Sequence, residues 1–317
     1  MIRLLAVLLF FAGTATAQNF PTRPITMIVP YAAGGSADVV ARPLAADMAK
    51  LLGENVVVEL RPGAGGNIGA EYVARSARAD GYTILMASLS LATNISLMKL
   101  SFDPRKELTA IGGITTFPNI LVVSAQDPAT SLKDIVARAK QDPGRVSYGS
   151  SGPGTSSHLA GELLSAAAGV ELTHVPYKGS GAVYPDLIAR RVTLLFDLAG
   201  SASGHIKGGQ VKPLATTGAR RAAALPDTPT FIESGFPGFQ FGAWLGLFAP
   251  AETPKEILSR LEDALLKTVQ SPDMKARLAQ MGGEPVPGPA AQFWKFFLDD
   301  VERYAQLVRD GKVKPIQ

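Results

Sequence analysis

Three stretches of the chain place glycines and hydroxyl side chains between an apolar run and a helical pattern, with no charged catalytic group inside the turn. The first is VPYAAGGSADVVARPLA, residues 29–45. Tyr31, Ala32, Ala33, Gly34, Gly35 and Ser36 end a strand, Ser36 can cap the helix that follows, and Asp38 falls in its first turn. A helix leaves its first N–H groups unpaired and its dipole favours negative charge there, so the chemistry open to such a turn is anion binding. Asp38 would compete with an anion for those donors. It is therefore assigned, with Gly35, to bracing the turn from behind, which leaves Tyr31, Ala33, Gly34 and Ser36 to face a ligand.

The second stretch, GSSGPGTSSHLAGELL, spans residues 149–164. Ser150, Ser151, Thr155, Ser156 and Ser157 supply hydroxyls, Gly152 and Gly154 allow close backbone approach, and a helix starts near Thr155 or Ser156. The third, VPYKGSGAVYPDL at 175–187, repeats strand, glycines and helix; Lys178 could reach an anion, against the usual solvated place of a lysine. A nucleophile elbow needs G-x-S-x-G, and Gly149-Ser150-Ser151-Gly152-Pro153 misses the last glycine. His158, His174 and His205 are the three histidines, so a triad has few routes. His158, at a helix start, reads first as a hydrogen bonder that supports the turn.

Asp197 closes the apolar run VTLLFD, where open α/β sheets place ligand contacts. It could accept a bond from a ligand, or cap the segment that follows. RPGAGGNIGAEYVA at 61–74 fits G-x-G at Gly63 and Gly65, but its sixth position is Ile68 and Gly69 comes one residue late. Asp80 does not end a second strand, so dinucleotide binding is not expected and the stretch reads as a tight turn packing a helix on the sheet. With no HExxH, no EF-hand loop and no cysteine, neither metal nor cofactor is expected.

These turns need elements to hold them. Apolar runs alternate with helical patterns from ITMIVPY through NVVVEL and YTILMAS, and again from RVSYGSS to VKPLATTG, which predicts an α/β fold with a largely parallel sheet. Two apolar segments, near 121–124 and 243–248, flank the middle block. Two lobes joined by two crossing strands explain this order and could hinge about a ligand. After residue 250 only helices follow, Ser271-Pro272-Asp273 starting one of them with a cap and a first-turn proline. The stripe Phe293, Phe297, Val301, Tyr304 and Val308 of the last one is core packing.

The N-terminus, MIRLLAVLLFFAGTATAQN, carries Arg3, an apolar run at 4–12 and Ala15-Thr16-Ala17, an export signal expected to be cut after Ala17 and too short to span a bilayer. Absence of cysteine excludes disulfides and a lipid anchor on a cysteine at the cut site. The formal net charge of +4 falls by one when Arg3 leaves, too little and too dispersed for nucleic acid.

In this order the motifs PTRPITMIVPYAAGGSADVVAR, VVVELRPGAGGNIGAEYVA, DGYTILMAS, SSGPGTSSHLAGELL, VPYKGSG, the FD of LLFDLAG and LFAPAETPKEIL resemble, over essentially the whole mature chain, the Bug or TctC family of periplasmic solute-binding receptors of tripartite tricarboxylate transporters. The resemblance implies a two-lobe Venus-flytrap protein of type II periplasmic-binding topology without enzymatic activity, exported to the periplasm. Lobe one would comprise residues 18–122 and 244–317, lobe two residues 123–243, after a signal at 1–17. It implies a ligand carboxylate held by the turns at 31–36 and 151–157, partly through ordered waters. The expected contacts are Tyr31, Ala33, Gly34, Ser36, Ser88, Ser151, Gly154, Thr155, Ser156 and Asp197, with Gly35, Asp38 and His158 in support. The partners implied are a small carboxylate (mono-, di- or tricarboxylate, amino acid or aromatic acid) and a membrane permease; the expected state is a monomer. Two departures bear on specificity: Leu198-Ala199-Gly200 replaces the family's Asn-Leu-Pro, and Asn94-Ile95 its NP. The competing readings are an exported α/β hydrolase using Ser151 or Ser156 with His158, and a receptor that presents its ligand to a membrane sensor.

Overall fold

The computed structural model describes residues 20–222, 224–286, 288–311 and 313–316. The export signal expected at 1–17 lies outside the described residues. The apolar runs become nine strands: β1 (Ile25–Val29), β2 (Val56–Leu60), β3 (Thr83–Ser88), β4 (Leu108–Ser124), β5 (Ser147–Ser150), β6 (Thr173–Pro176), β7 (Leu194–Leu198), β8 (Val211–Thr216) and β9 (Gly242–Pro250). They form one sheet in the order β2-β1-β3-β9-β4-β7-β5-β6, with β8 also paired to β4. The sheet is mixed. β1 runs parallel to β2 and β3, and β5 to β6 and β7, as short strands joined by crossover helices must. Every pairing of β4 and β9 is antiparallel, so the largely parallel expectation holds at the two ends of the sheet and fails in its middle.

β4 is the strand common to both halves. Sequence alone suggests a strand over 119–124, but it begins at Leu108 and pairs with β9 from Leu108 opposite Pro250 to Pro118 opposite Gly242. Two register shifts, between Ala110 and Gly112 and between Gly113 and Thr115, let it bend without breaking. At Pro118, which has no N–H to give a ladder, the partners change: from Asn119 on, β4 pairs with β7 on one side and β8 on the other. The chain comes back through β9.

Thr217 joins the two crossing strands where they pass. Its hydroxyl accepts from Asn119 N at 2.8 Å and donates to Phe241 O at 2.5 Å. Its N–H donates to Asn119 O at 2.8 Å and its carbonyl accepts from Phe241 N at 2.9 Å. Three buried clusters fill the faces of the sheet. On β4, Leu121 and Val123 pack with Leu159, Ala160 and Leu164, while Ile120 and Val122 pack with Tyr184, Ala199 and Ala202. Along the helix Ala290–Arg309, Phe293, Phe297, Val301 and Tyr304 are buried, and Ser271 accepts from Met274 N at 3.2 Å to cap the helix Pro272–Gln280.

Candidate functional site

β1 delivers the first turn. Tyr31, half-buried, places its hydroxyl 2.6 Å from Ser88 Oγ, at the end of β3, and 2.7 Å from Ser90 Oγ. Burial pushes the phenol above its ordinary pKa, so it stays neutral. Room for the ring comes from Gly66, held at φ +101°, where a Cβ would fall 3.1 Å from the Tyr31 oxygen. The glycine run at 63–66 thus serves to pack the turn, through the 3-10 helix Ala64–Gly66.

The helix Ser36–Leu52 starts after Gly35, whose lack of a side chain leaves the N-cap without a side-chain bond. The expectation that Ser36 caps this helix is therefore corrected: Ser36 is its first residue, and its hydroxyl lies 3.2 Å from Ser201 Oγ in the helix Ala199–Lys207. Ala33 and Gly34 are exposed. Asp38 is buried; Oδ2 accepts from Gly34 N of the turn at 3.0 Å and Oδ1 pairs with Arg42 at 2.7 Å, so its charge is matched.

β5 delivers the second turn, which folds on its own hydroxyls. Ser157 Oγ accepts from Ser151 N at 2.8 Å and lies 2.9 Å from Ser151 Oγ and 3.0 Å from Thr155 Oγ1; Thr155 Oγ1 donates to Gly152 O at 2.6 Å. Thr155 is the N-cap of the helix Ser156–Ala168, yet its side chain makes no cap bond. His158 Nδ1 accepts from Gly154 N at 3.2 Å. Burial holds His158 down at about 4, so the neutral ring keeps the lone pair this bond needs. Its ring lies 4.3 Å from that of His174, which burial, aided by His158, also holds at about 4. The serine bonded to a histidine ring is Ser150, 2.6 Å from His174 Nε2 and fully buried.

The two turns meet. Thr93 Oγ1 donates to Gly154 O at 2.7 Å. A Cβ on Gly154, at φ +74°, would fall 1.7 Å from Asn94 Oδ1, and one on Gly65 2.4 Å from Pro153 O. Asn119 Nδ2 lies 3.4 Å from Ser156 Oγ. From the third turn, a Cβ on Gly179 would meet Ala32 Cβ at 3.1 Å, while Lys178 is exposed. Tyr31, Ser36 and Ser88 thus stand on one side of a seam and Ser151, Gly154, Thr155 and Ser156 on the other.

Asp197, at the end of β7, is buried and engaged: Oδ2 accepts from Tyr184 Oη at 2.7 Å and Oδ1 from Leu198 N at 2.8 Å. Burial raises its pKa, and these bonds pull it back towards the charged form. Behind it Ala199 and Gly200 press on Gly282 and Met281. Among the described residues no group of His, Asp or Glu gathers that could hold a metal ion.

Sequence reasoning missed Ser90, Thr93, Asn119 and Ser201, and met Asn94 as a departure from the family's NP. A signal existed for Ser90, Thr93 and Asn94. In the helix Ser90–Leu97 they recur at i, i+3 and i+4, a polar stripe beside Leu91, Ala92, Ile95 and Leu97.

A family model described as a tripartite tricarboxylate transporter family receptor matches residues 40–312. The chain is 35% identical to Protein BugT of Bordetella pertussis (strain Tohama I), over 99% of this chain and 99% of that one. Among solved structures it is similar to the periplasmic binding protein BugD, with TM-score 0.88 and 36% identity over 94% of this chain and 100% of the other. It is likewise similar to R. palustris Rpa4515 with adipate, TM-score 0.88, 33% identity, 94% and 100% covered. MatC from Rhodopseudomonas palustris with bound malate gives TM-score 0.86 and 32% identity over 91% and 100%. The two-lobed architecture is that of these binding proteins. No helix among the described residues is long and apolar enough to cross a membrane.

Proposed function

The chain belongs to the tripartite tricarboxylate transporter receptor family, and from that premise we propose that it captures a small carboxylate-bearing solute between its lobes and hands it to a membrane permease. The observation that carries this reading is a pair of helix starts, after Gly35 and Thr155, neither covered by a side-chain cap, the first reaching Ser201 across the seam and the second held there by Thr93. Their free N–H groups and dipoles are arranged for one anion shared between them. That relatives are solved with adipate and with malate supports a carboxylate as that anion.

The clamp needs no arginine. A hydrogen bond to a charged group contributes about 1.5–3 kcal/mol, and micromolar affinity corresponds to about −8 kcal/mol. Roughly four or five such bonds suffice if closure excludes water and ordering costs stay small. In this proposal Tyr31, Ala33, Gly34, Ser36 and Ser88 supply one jaw, and Ser151, Gly154, Thr155 and Ser156 the other. Gly35, Asp38 and His158 brace them, and Asp197 joins the bracing group because its oxygens are already engaged by Tyr184 and Leu198.

The hydrolase reading loses support on geometry. His158 spends Nδ1 on a backbone N–H, and Ser150, the serine on His174, accepts from Gly152 N at 3.2 Å and so braces its own turn. We accordingly assign no catalysis. Export by the segment at 1–17, a boundary between lobes at 122/123 and 243/244, and a monomeric state belong to the same proposal.

A thermal-shift screen of the chain from Gln18 onward against mono-, di- and tricarboxylates, amino acids and aromatic acids tests it. A ligand at 100 times its dissociation constant adds about 2.7 kcal/mol. An upward shift with the ligand recovered intact is expected. Silence across all carboxylates, or turnover of an ester, would remove the proposal.

A further inference from the structure

Among the described residues four buried side-chain atoms lack a hydrogen-bond partner: Asp38 Oδ1, Asn94 Oδ1, Asn119 Oδ1 and Thr268 Oγ1. Asp38 Oδ1 is in an ion pair with Arg42. Asn94 Oδ1 lies against the α-carbon of Gly154, a weak contact of its own. Thr268 sits on the helix Lys255–Gln270, away from every turn of the site. Asn119 Oδ1 has neither an ion pair nor such a contact, and its place in the fold is at the clamp.

Side chains alternate along a strand, so Asn119 shares the face of Leu121 and Val123. Those two pack under the helix Ser156–Ala168 with Leu159, Ala160 and Leu164. The row therefore runs up from the core to the start of that helix and ends in an amide. There Nδ2 lies 3.4 Å from Ser156 Oγ, and Asn119 stands opposite Leu198 at the C-terminal end of β7, where an α/β sheet presents its ligand. The residue is fully buried. Its backbone is held on both sides by Thr217, so the side chain is free of any role in the strand pairing. An amide with one end spent and a bare carbonyl at the other is costly unless something donates to it.

A carboxylate cannot donate. We propose that Asn119 is a specificity-determining residue of the cleft, its Oδ1 accepting a hydrogen bond from a hydroxyl or ammonium group beside the bound carboxylate, so that the solute is a hydroxy- or amino-substituted carboxylic acid. This rests on the carboxylate reading of the two helix starts and adds to it a choice among carboxylates. The unsubstituted acid leaves the carbonyl unmatched and binds less well. An ammonium group can only donate, so its acceptance requires that the carbonyl, and not the NH2, of Asn119 face the ligand.

Titration calorimetry on the mature chain with matched sets reads this directly: propionate, lactate and alanine; succinate, malate and aspartate; glutarate, hydroxyglutarate and glutamate; phenylacetate, mandelate and phenylglycine. In the set that fits the cleft, both substituted members are expected to bind about tenfold tighter than the plain acid, equivalent to about 1.4 kcal/mol. Asn119→Leu should shrink that ratio to within about twofold, whatever it does to the plain acid, an expectation set by loss of one hydrogen bond. Equal binding across a set that does bind would overturn the role of Asn119 and leave the carboxylate clamp standing. So would a set in which hydroxyl is preferred and ammonium refused, or a ratio unchanged in the variant. No binding by any acid would take down both readings. If Asn119→Leu does not fold, the wild-type ranking alone decides.

Discussion

The turns at 31–36 and 151–157 are built to one plan, a strand end, glycines and an uncapped helix, yet they are held by opposite chemistry. Behind the first stands a charge, Asp38, which takes Gly34 N–H and is neutralised by Arg42. Behind the second stands a neutral ring, His158, which takes Gly154 N–H, with a knot of serine and threonine hydroxyls around it. A carboxylate placed between the two would meet one brace that is charged and one that depends on an unprotonated imidazole. The glycines differ as well. Gly34 and Gly154 share φ near +75°, but the space around a Cβ is empty at Gly34 and occupied at Gly154.

That last contrast offers the largest test. Gly154→Ala is expected to cost about 100-fold in carboxylate affinity, about 2.7 kcal/mol, because the new Cβ lies 1.7 Å from Asn94 Oδ1 and the lobes cannot meet. Gly34→Ala should pay only the left-handed backbone penalty of about 1–2 kcal/mol, read as stability. Calorimetry on both variants checks the pair; equal effects on affinity would break the contrast.

The braces differ next in their answer to pH. Because burial holds His158 at about 4, below the ordinary 6.5, the unfolded chain binds the proton more readily than the native one. Its contribution to stability is complete above pH 6.5 and is lost as pH falls through about 4, an effect on the order of 3 kcal/mol. Denaturant melts from pH 7 to 4 should show this decline, and His158→Gln should reduce it, leaving the part that belongs to His174.

A smaller effect is expected across the seam. Thr93→Val removes the donor to Gly154 O and should weaken binding about fivefold, or about 1 kcal/mol, with thermal stability nearly unchanged. The smallest belongs to the charged brace. Asp38→Asn keeps an acceptor for Gly34 N–H while removing a like charge from the helix start, so affinity for a carboxylate should rise about twofold and stability fall by about 0.3–1 kcal/mol. Loss of affinity instead would mean that the Arg42 pair positions the turn.

What could be read from residue order was whatever local chemistry dictates. Glycine runs before helices announced both turns, and the period of Phe293, Phe297, Val301 and Tyr304 announced a buried face that the structure contains. The early start of β4 was hidden, because glycines, threonines and a proline over residues 112–118 leave no unbroken apolar run, while pairing with β9 and two register shifts keep them extended. N-cap identity was hidden too: Ser36 has the right side chain, but Gly35 takes the position and Ser36 turns to Ser201. Asn119 carried no local mark. Its place depends on a strand and a helix meeting from distant parts of the chain.

Thr217 has a mechanical consequence. β4 and β9 are paired as far as Pro118 and Gly242, and where that ladder ends Thr217 keeps the two ribbons tied, one through Asn119 and the other through Phe241, with four contacts at a single residue. A rivet of that kind removes translation and leaves rotation. Motion of one half of the molecule against the other would then have a single degree of freedom, like a pair of shears on one pin.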